Sequence, residues 1–529
     1  MREIRHVLFI MTDQQRADYL GCAGHPSLRT PNLDALAAEG VLFPNAFCNA
    51  TICGSSRMSF YTGRYMSTHG ASWNNFPLSI AQKTLGDHMR AVGVRTALVG
   101  KTHMSADSEG MARVHLDPES ETGRLIAECG FEPFERDDGL HPSEGNPRDL
   151  AYNRYLRSLG YEGDNPWHDY ANAAEGPDGE ILSGWYMRNA HLPARIREEH
   201  SETPYMTDRA IAFIEEAGDQ PWCLHLSYIK PHWPYMAPAP YHAMYGADDV
   251  PPANRGNDER ARPHPVHGAF MRHIDSETFS RDEVRARVIP TYMGLISQID
   301  DQLGRLFGVL KDKGLWDKTL IVYTSDHGDY LGDHWLGEKE MFHEESVRIP
   351  MIVRDPRAAA DATRGRVLDH LVEAIDLVPT FHAAFGGEDP GQWFEGRSLL
   401  PVLEGEIEAG SGDWRDIAVS ETDYAMRGAR VDLGLAPMEA RGIMLRSQRW
   451  KFVYWAGVEP PFQLFDLAAD PREQVDLAGS PDHAPVIESM RDRLIHWLAT
   501  RRTRVTVSDR RIEATTDSSA KRGFLIGYW

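Results

Sequence analysis

Cysteine is scarce in this sequence, and the few cysteines form no pattern that suggests disulfides. Five occur among 529 residues, an odd number at irregular spacing, whereas disulfide-stabilised secreted domains carry dense, even sets. The five are Cys22, Cys48, Cys53, Cys129 and Cys223. Long hydrophobic runs are missing too: the N-terminal MREIRHVLFIMTD has only about five consecutive apolar residues, too few for a signal core or a membrane span. We therefore predict a cytoplasmic protein without a membrane partner.

Positive charge is also in short supply. The 56 lysines and arginines are outnumbered by 78 acidic residues, which leaves a net charge of -22. Nucleic-acid binding requires a basic face, so this composition argues against a nucleic-acid partner. A small anionic substrate would need a pocket in which a few cations are gathered against the overall field.

Repeats and low-complexity tracts are absent from the sequence, and short apolar runs alternate with helical patterns. The runs are VLFIM (7–11), TALVG (96–100), WCLHLSY (222–228), TLIVYT (319–324) and MIVR (351–354). After the first run, TPNLDALAAEG offers Thr30 as an N-cap and Pro31 at the first helical position. This alternation predicts an α/β fold with a mostly parallel central sheet sandwiched by helices.

The chain is too long for one compact core, and its texture changes near residue 410. We predict a catalytic α/β domain over 1–410, in which the stretch 105–200 is an insertion near the active-site mouth. Residues 411–529 are predicted to form a smaller α+β domain with an antiparallel sheet, a helix over 483–500 and a tail. The apolar end of the tail, KRGFLIGYW, is either frayed or docked on the body or on another subunit, and we expect a homo-oligomer.

Polar side chains directly follow four of the apolar runs. In chain order these are Asp13 and Gln14, Lys101 and His103, Lys230 and His232, and Asp326 and His327. Ligands of open α/β sheets bind at the carboxyl ends of the strands. The four groups should therefore converge on one site.

Two carboxylates in this set indicate a metal ion. Asp13 and Asp326 would repel each other at close range unless a cation joins them, although either residue alone could equally be a helix cap or a turn residue. Calcium and magnesium prefer oxygen ligands, whereas manganese accepts His327 more readily. We predict one divalent ion, Ca²⁺ or Mn²⁺ ahead of Mg²⁺.

Five cationic or basic side chains are expected beside this ion. They are Arg57, Lys101, His103, His232 and Lys339. Charge-assisted contacts from such residues stabilise the charge that develops on a tetrahedral oxyanion. Sulfate esters, phosphate esters and phosphonates all fit this description, and each side chain alone could also be solvated or satisfied in the core.

Cys53 stands beside this cluster, and its sequence neighbours narrow its role. Cys53 and Arg57 are four residues apart and share one face of a helical turn, where the pKa of the thiol would be lowered. A thiolate phosphatase needs its cysteine and arginine six positions apart, but residue 59 is serine. The alternatives left open are a buried cysteine, another thiolate hydrolase, a metal ligand and a site of modification.

The pattern Cys53-x-Ser55-x-Arg57 resembles the C-x-[PS]-x-R signature of type I sulfatases, members of the alkaline phosphatase superfamily, and TGR (62–64) follows it as in that family. Five further segments resemble family motifs in the family's order. They are MTDQQRADYLGC, GKTHM, YTSDHGDYLGDH, GEKEMFHEES and PFQLFDLAADPREQVDLA. The resemblance spans most of the chain.

This resemblance implies that a maturation enzyme converts Cys53 to formylglycine, whose hydrated aldehyde is both nucleophile and metal ligand. The implied metal ligands are Asp13, Asp326, His327 and the modified Cys53, with Gln14 nearby. Arg57 would favour the ionised nucleophile, Lys101 and Lys339 would hold the sulfate oxygens, and His232 would protonate the leaving oxygen. His103 would remove a proton from the second hydroxyl so that sulfate is released.

Some positions resemble the phosphonate monoester hydrolases of the same superfamily instead. Gln14 and His327 stand where many sulfatases have Asp and Asn, and HLPARIREEHSETPYMTDRAI (191–211) and the substrate-contacting Asn74 are also similar to those hydrolases. Asn74 could equally cap a loop. Those hydrolases, however, carry Tyr and Thr in place of Lys101 and His103.

We therefore predict an arylsulfatase-like hydrolase of sulfate monoesters, promiscuous towards phosphonate monoesters and phosphodiesters. Phosphonate monoester hydrolysis as the main activity is the first alternative, and a non-catalytic oxyanion-binding protein is the second. Trp73 and Trp233 could line an aromatic leaving-group pocket or pack in the core.

Overall fold

A computed structural model of the chain describes residues 3–139, 150–388 and 391–516, together with residues 518, 521, 523 and 527. The strands are β1 (His6–Asp13), β2 (Val41–Leu42), β3 (Ala46–Phe47), β4 (Arg95–Gly100), β5 (Glu132–Arg136), β6 (Ala173–Glu175), β7 (Ile181–Ser183), β8 (Trp222–Pro231), β9 (Thr319–Ser325), β10 (Met351–Arg354), β11 (Arg366–Val367), β12 (Val372–Glu373), β13 (Ala418–Asp423), β14 (Arg441–Arg446), β15 (Trp450–Trp455) and β16 (Phe462–Asp466).

The α-helices connect and cover these strands. They are α1 (Pro31–Ala38), α2 (Cys53–Thr62), α3 (Met66–His69), α4 (Leu85–Ala91), α5 (Ser108–Arg113), α6 (Glu121–Ala127), α7 (Ala151–Ser158), α8 (Glu202–Ala217), α9 (Asn257–Ala261), α10 (Pro265–Phe270), α11 (Ile274–Phe279), α12 (Asp282–Asp312), α13 (Glu344–Val347), α14 (Leu377–Ala384), α15 (Leu400–Leu403), α16 (Gly428–Asp432), α17 (Ala484–Ala499) and α18 (Asp509–Thr515).

The central sheet has eight strands in the order β11-β2-β10-β9-β1-β8-β4-β5. All neighbouring pairs are parallel except those of β10, which runs antiparallel to β9 and β2. The five apolar runs form β1, β4, β8, β9 and β10, so the predicted mostly parallel sheet is confirmed. Thr30 precedes α1 as expected, but its hydroxyl donates to the side chain of Asp34 rather than capping the helix backbone.

Helices cover both faces of the sheet, which explains why β1 is apolar along its whole length. Val7, Phe9 and Met11 pack into the core that includes residues of α2, α4 and α14, whereas Leu8 and Ile10 pack into the core under α8 and α12. Each large apolar side chain buried in this way contributes about 1.5–3 kcal/mol to folding. Burial on both faces leaves the carboxyl ends of the strands as the place where polar groups can gather.

The C-terminal part contains the predicted small antiparallel sheet, with strands in the order β13-β14-β15-β16. Helix α17 packs against it through Met490 and Leu494, which join Leu445 and Phe452 in a separate apolar cluster. The fold class is therefore confirmed, while the domain boundary at residue 410 remains a prediction. Most of the KRGFLIGYW tail lies outside the described residues. Among the described residues, no helix combines the length and apolarity needed to cross a membrane.

Candidate active site

Four strands bring the predicted polar residues to one edge of the sheet. β1 ends at Asp13 between its neighbours β8 and β9, which are followed by His232 and Asp326. β4 is followed by Lys101, whose Nζ lies 2.8 Å from Asp13 Oδ2. The expected convergence is thus present in the geometry.

Helix α2 begins at Cys53 and aims its N-terminus at this edge. Ile52, the residue before it, is extended, and the backbone N–H of Gly54 donates to Asn74 Oδ1 at 2.7 Å. A Cβ on Gly54 would lie 2.9 Å from the Cα of Asn74, so glycine is needed for this close approach. The partial positive charge of a helix N-terminus favours an anion at the position of the Cys53 side chain.

Arg57 joins the two carboxylates from one turn further along α2. Its Nη2 lies 2.9 Å from Asp13 Oδ2, and its Nε lies 3.0 Å from Asp326 Oδ2. Nη1 donates to the Lys101 carbonyl at 2.8 Å and to Ser227 Oγ at 2.7 Å. The fully buried guanidinium therefore fixes the positions of Asp13, Asp326 and the end of β4 at once.

The Cys53 thiol lies at the centre of the predicted catalytic group. Its Sγ is 3.1 Å from His327 Nε2, 3.3 Å from Lys339 Nζ and 3.8 Å from Asp13 Oδ1. In a formylglycine enzyme this sulfur would stand in for an oxygen of the hydrated aldehyde. His232 is close as well, since its Nε2 is 3.4 Å from Lys339 Nζ.

The residues present fit a divalent ion. Asp13, Cys53, Asp326 and His327 are all buried, and each offers one ligand atom within 4.8 Å of the others. His327 Nδ1 donates to the Gly328 carbonyl at 2.8 Å, which leaves Nε2 free to ligate, the arrangement usual for metal-binding histidines. Two carboxylates, one imidazole and the side chain of residue 53 match the donor preferences of a hard or borderline cation.

Gln14, the remaining predicted ligand, is held by other contacts. Its Oε1 accepts from Lys339 Nζ at 2.7 Å, and its Nε2 donates to Asp329 at 2.6 Å. Both the oxygen and the nitrogen of the Gln14 amide are thus engaged in hydrogen bonds next to the four candidate metal ligands. Asp329 is a site residue that sequence reasoning missed, although it stands within the SDHGD segment that supplied Asp326.

Burial and neighbouring charges set the protonation of these groups. Burial opposes ionisation of Asp13, but Lys101 and Arg57 together hold the pKa of its carboxyl well below the usual range. Burial lowers the pKa of His103 and of His327, and it places that of His232 well below its ordinary value. The site therefore combines an ionised Asp13 carboxylate with neutral imidazoles, as both metal binding and proton transfer require.

Comparison with known proteins agrees with this geometry. The sequence profile of the sulfatase family matches residues 5–387, and a profile described as N-sulphoglucosamine sulphohydrolase, C-terminal, matches residues 332–500. The chain belongs to the sulfatase family. Similar proteins bear names that denote different activities.

One relative is the multifunctional alkaline phosphatase superfamily protein PehA of Trinickia caryophylli, 34% identical over 93% of this chain and 95% of that protein. The arylsulfatase of Clostridium perfringens is 26% identical over 98% of this chain and 99% of its own length. Among solved structures, the phosphonate monoester hydrolase of Silicibacter pomeroyi has a TM-score of 0.82 at 30% identity, covering 95% of this chain and 96% of that one. The sulfatase and phosphonate hydrolase branches of the alkaline phosphatase superfamily are both represented.

A cavity of about 300 Å³ opens above the site. Four tryptophans line it, the predicted Trp73 and Trp233 and the unpredicted Trp167 and Trp185. The predicted Asn74, Lys101, His103, His232 and Lys339 line it too. Aromatic walls around a cationic floor suit a flat leaving group attached to an oxyanion.

Four charged residues of the cavity wall were also missed. They are Asp138, Glu338, Glu340 and Arg427. Arg427 lies between β13 and β14 and pairs with Glu340, so the C-terminal sheet region contributes to the cavity. The one sequence signal available was the position of Glu338 and Glu340 on either side of Lys339.

Proposed function

We propose that this sulfatase-family chain is a metal-dependent, arylsulfatase-like hydrolase of sulfate monoesters that uses formylglycine formed from Cys53. The observation that carries the proposal is the environment of residue 53. Its side chain starts helix α2 and lies within 3.3 Å of His327 and Lys339. Few other functions would require a cysteine, a metal-donor set and an oxyanion pocket at the same point.

Formylglycine and a divalent ion would supply two kinds of chemistry. Formylglycine at residue 53 would provide an oxygen nucleophile, and a divalent ion would favour the ionised form of that oxygen. Asp13, Asp326, His327 and residue 53 would hold the ion. Ca²⁺ and Mn²⁺ both remain candidates, because the donor set mixes carboxylate oxygens with one imidazole nitrogen.

The chain's own residues bind the oxyanion and move protons. Lys101 and Lys339 reach the site with their ammonium groups and would hold the substrate oxygens by charge-assisted hydrogen bonds. His232 Nδ1 donates to the Trp233 carbonyl at 2.6 Å, so Nε2 faces Lys339 Nζ at 3.4 Å. The Lys339 ammonium and His232 Nε2 therefore lie side by side, where they would neutralise or protonate the leaving oxygen. His103, neutral because it is buried, would act as the base for product release.

Phosphonate monoester hydrolysis is the second candidate for the main activity. It is favoured by the structural likeness at 30% and 29% identity to phosphonate monoester hydrolases of Silicibacter pomeroyi and Agrobacterium radiobacter. Lys101 and His103 favour sulfate monoester hydrolysis as the main activity, because the phosphonate monoester hydrolases that this sequence resembles have Tyr and Thr at those positions. Activity on phosphodiesters would follow from the same pocket.

Further parts of the proposal rest on the sequence. They are a maturation enzyme that converts Cys53, a cytoplasmic location, a homo-oligomeric state and a catalytic domain ending near residue 410. None of them is required by the geometry of the site.

One experiment tests the function and separates the candidates. The chain is produced with and without a formylglycine-generating enzyme, and conversion of Cys53 is quantified by peptide mass spectrometry. kcat/KM is then measured for an aryl sulfate and an aryl phosphonate monoester with the same phenol. Turnover that scales with conversion and is absent in Cys53→Ala supports the proposal. Full activity of unconverted protein refutes it, and a large preference for the phosphonate favours the second candidate.

A further inference from the structure

The turn that follows β4, residues 101–104, has an unusual backbone. The N–H of Lys101 donates to the Ser227 carbonyl at 3.0 Å and completes the ladder with β8. Two residues later His103 has a φ of 56°, in the left-handed region that non-glycine residues seldom adopt. A histidine persists in this conformation only where its surroundings hold it there.

Asp138 supplies part of that hold. Its Oδ1 accepts from the backbone N–H groups of Thr102 at 2.8 Å and His103 at 2.9 Å. Successive N–H groups beside a left-handed residue form a concavity that binds anions. Here the anion is a carboxylate of the same chain: burial opposes its ionisation, but Arg136 and the His103 N–H lower the pKa of Asp138.

Arg136 completes the hold from the other side of the turn. Its Nε donates to Asp138 Oδ2 at 2.8 Å, and its Nη2 donates to the Met104 carbonyl at 2.7 Å. Arg136 ends β5, and Asp138 lies two residues beyond it. Together they bind the N–H groups of Thr102 and His103 and the carbonyl of Met104, so the backbone is fixed on both sides of the His103 side chain.

The His103 ring depends on this grip for its direction. The ring lines the cavity above residue 53 together with Lys101 and Lys339, and its buried Nδ1 has no hydrogen-bond partner among the described residues. A metal-binding histidine such as His327 is aimed by a hydrogen bond from its own ring, but His103 lacks that device at Nδ1. Its aim at residue 53 must therefore come largely from the backbone.

We propose that Asp138 is a positioning residue, supported by Arg136, that fixes the left-handed turn at His103 and so aims the imidazole at residue 53. The role given to His103 rests on the proposed function, whereas the grip on the turn does not. Two measurements separate these parts.

The first measurement needs neither formylglycine nor metal. Amide hydrogen exchange of the peptide covering 101–104 is compared in unconverted wild type, Asp138→Ala, Asp138→Asn and the matched control Asp107→Ala. Asp107 also accepts two backbone N–H groups, from Ile80 at 3.1 Å and Gly110 at 2.8 Å, but it does not line the cavity. Asp138→Ala should raise exchange about tenfold or more, because two buried donors lose their acceptor. Asp138→Asn keeps Oδ1 and should retain most protection, and Asp107→Ala should leave this peptide unchanged.

The second measurement follows phenol release by converted, metal-loaded enzyme. Asp138→Ala should leave the initial burst within about threefold but slow the later steady state about 10- to 100-fold, since a misplaced base affects product release. His103→Ala should share this split, and Asp138→Asn should recover much of the loss. Unchanged exchange in Asp138→Ala, or equal slowing of both phases, overturns the inference. If converted wild type shows no turnover, the proposed function fails while the exchange result still decides the grip.

Discussion

Replacing Arg57 with methionine should destabilise the metal-free protein substantially. The guanidinium is fully buried and pairs with Asp13 at 2.9 Å and with Asp326 at 3.0 Å. Methionine keeps much of the apolar stem, so the loss is mainly one of charge and hydrogen bonds rather than of packing. The variant leaves two buried carboxylates facing each other without the cation between them.

The contacts that survive set the magnitude. Removing one member of a buried ion pair costs about 3–5 kcal/mol. Asp13 would keep Lys101 at 2.8 Å, and Asp326 would keep the backbone N–H groups of Gln14 and His327, each at 3.0 Å. We therefore expect the lower end, about 3 kcal/mol, in the free energy of unfolding. A divalent ion present at a hundredfold excess over its Kd would return about 2.7 kcal/mol.

Urea unfolding of the unconverted chain, followed by tryptophan fluorescence, tests this in chelator and in Mn²⁺ or Ca²⁺. Arg95→Met is the matched control, because Arg95 pairs with the half-exposed Glu132 and Glu216, and its loss should cost less than about 1 kcal/mol. Where the dependence of the unfolding free energy on urea concentration is the same in the variant and the wild type, the difference in urea midpoint reports the change in stability and not a change in the unfolded state. If Arg57→Met in chelator stays within about 1 kcal/mol of wild type, the bridging role assigned to Arg57 is wrong.

Three further predictions concern binding, pH and maturation. Lys339→Met should raise KM for an aryl sulfate about tenfold or more, since it removes a charge-assisted contact; steady-state kinetics check this, and an unchanged KM would remove Lys339 from substrate binding. Burial opposes protonation of His334, but Glu345 and Glu259 raise its pKa to about 10 in the folded protein. Its contribution to the free energy of unfolding is therefore complete below the pKa of the unfolded chain and is lost as pH rises to about 10. Wild type should thus lose roughly 2–4 kcal/mol between about pH 6.5 and pH 10, with a smaller loss in Glu345→Gln, measured by urea midpoints. Folded, unconverted protein should resist the maturation enzyme while the urea-unfolded chain is converted, because Cys53 is 0% exposed; mass spectrometry decides, and equal conversion of both would contradict the burial argument.

The convergence of the site could be predicted from sequence because it follows from one rule of sheet geometry. Asp13, Lys101, His232 and Asp326 each follow a buried parallel strand, and parallel strands end at a common edge. Short continuous runs of apolar residues in the sequence suffice to locate such strands. The same rule explains why residues outside strand ends were harder to place.

Asp138 and Arg427 show what the sequence does not reveal. Asp138 sits beyond a short strand in the stretch 105–200, predicted from the sequence only as an insertion, and the role proposed for it depends on the left-handed turn at His103. Arg427 reaches the cavity because β13 lies against the segment just before α2, where Ala50 pairs with Glu421, a contact between segments far apart in the chain. Gln14 is a subtler case, since its φ of 65° directs an amide predicted near the metal towards Lys339 and Asp329. Backbone reversals of this kind have no periodicity to detect.

The segment Cys53 to Arg57 carries two different kinds of information, which explains why it was the strongest signal in the sequence. A modifying enzyme would have to recognise it before folding, because Cys53, Ser55 and Arg57 are at most 1% exposed afterwards. In the folded chain the same residues do other work: the Ser55 hydroxyl donates to the Ile52 carbonyl, and Arg57 joins the two carboxylates. A short linear motif that an enzyme recognises in an unfolded chain can also be detected in the amino-acid sequence. The ion pairs of Arg57 with Asp13 and Asp326 form only when the chain folds, so the motif alone does not reveal them.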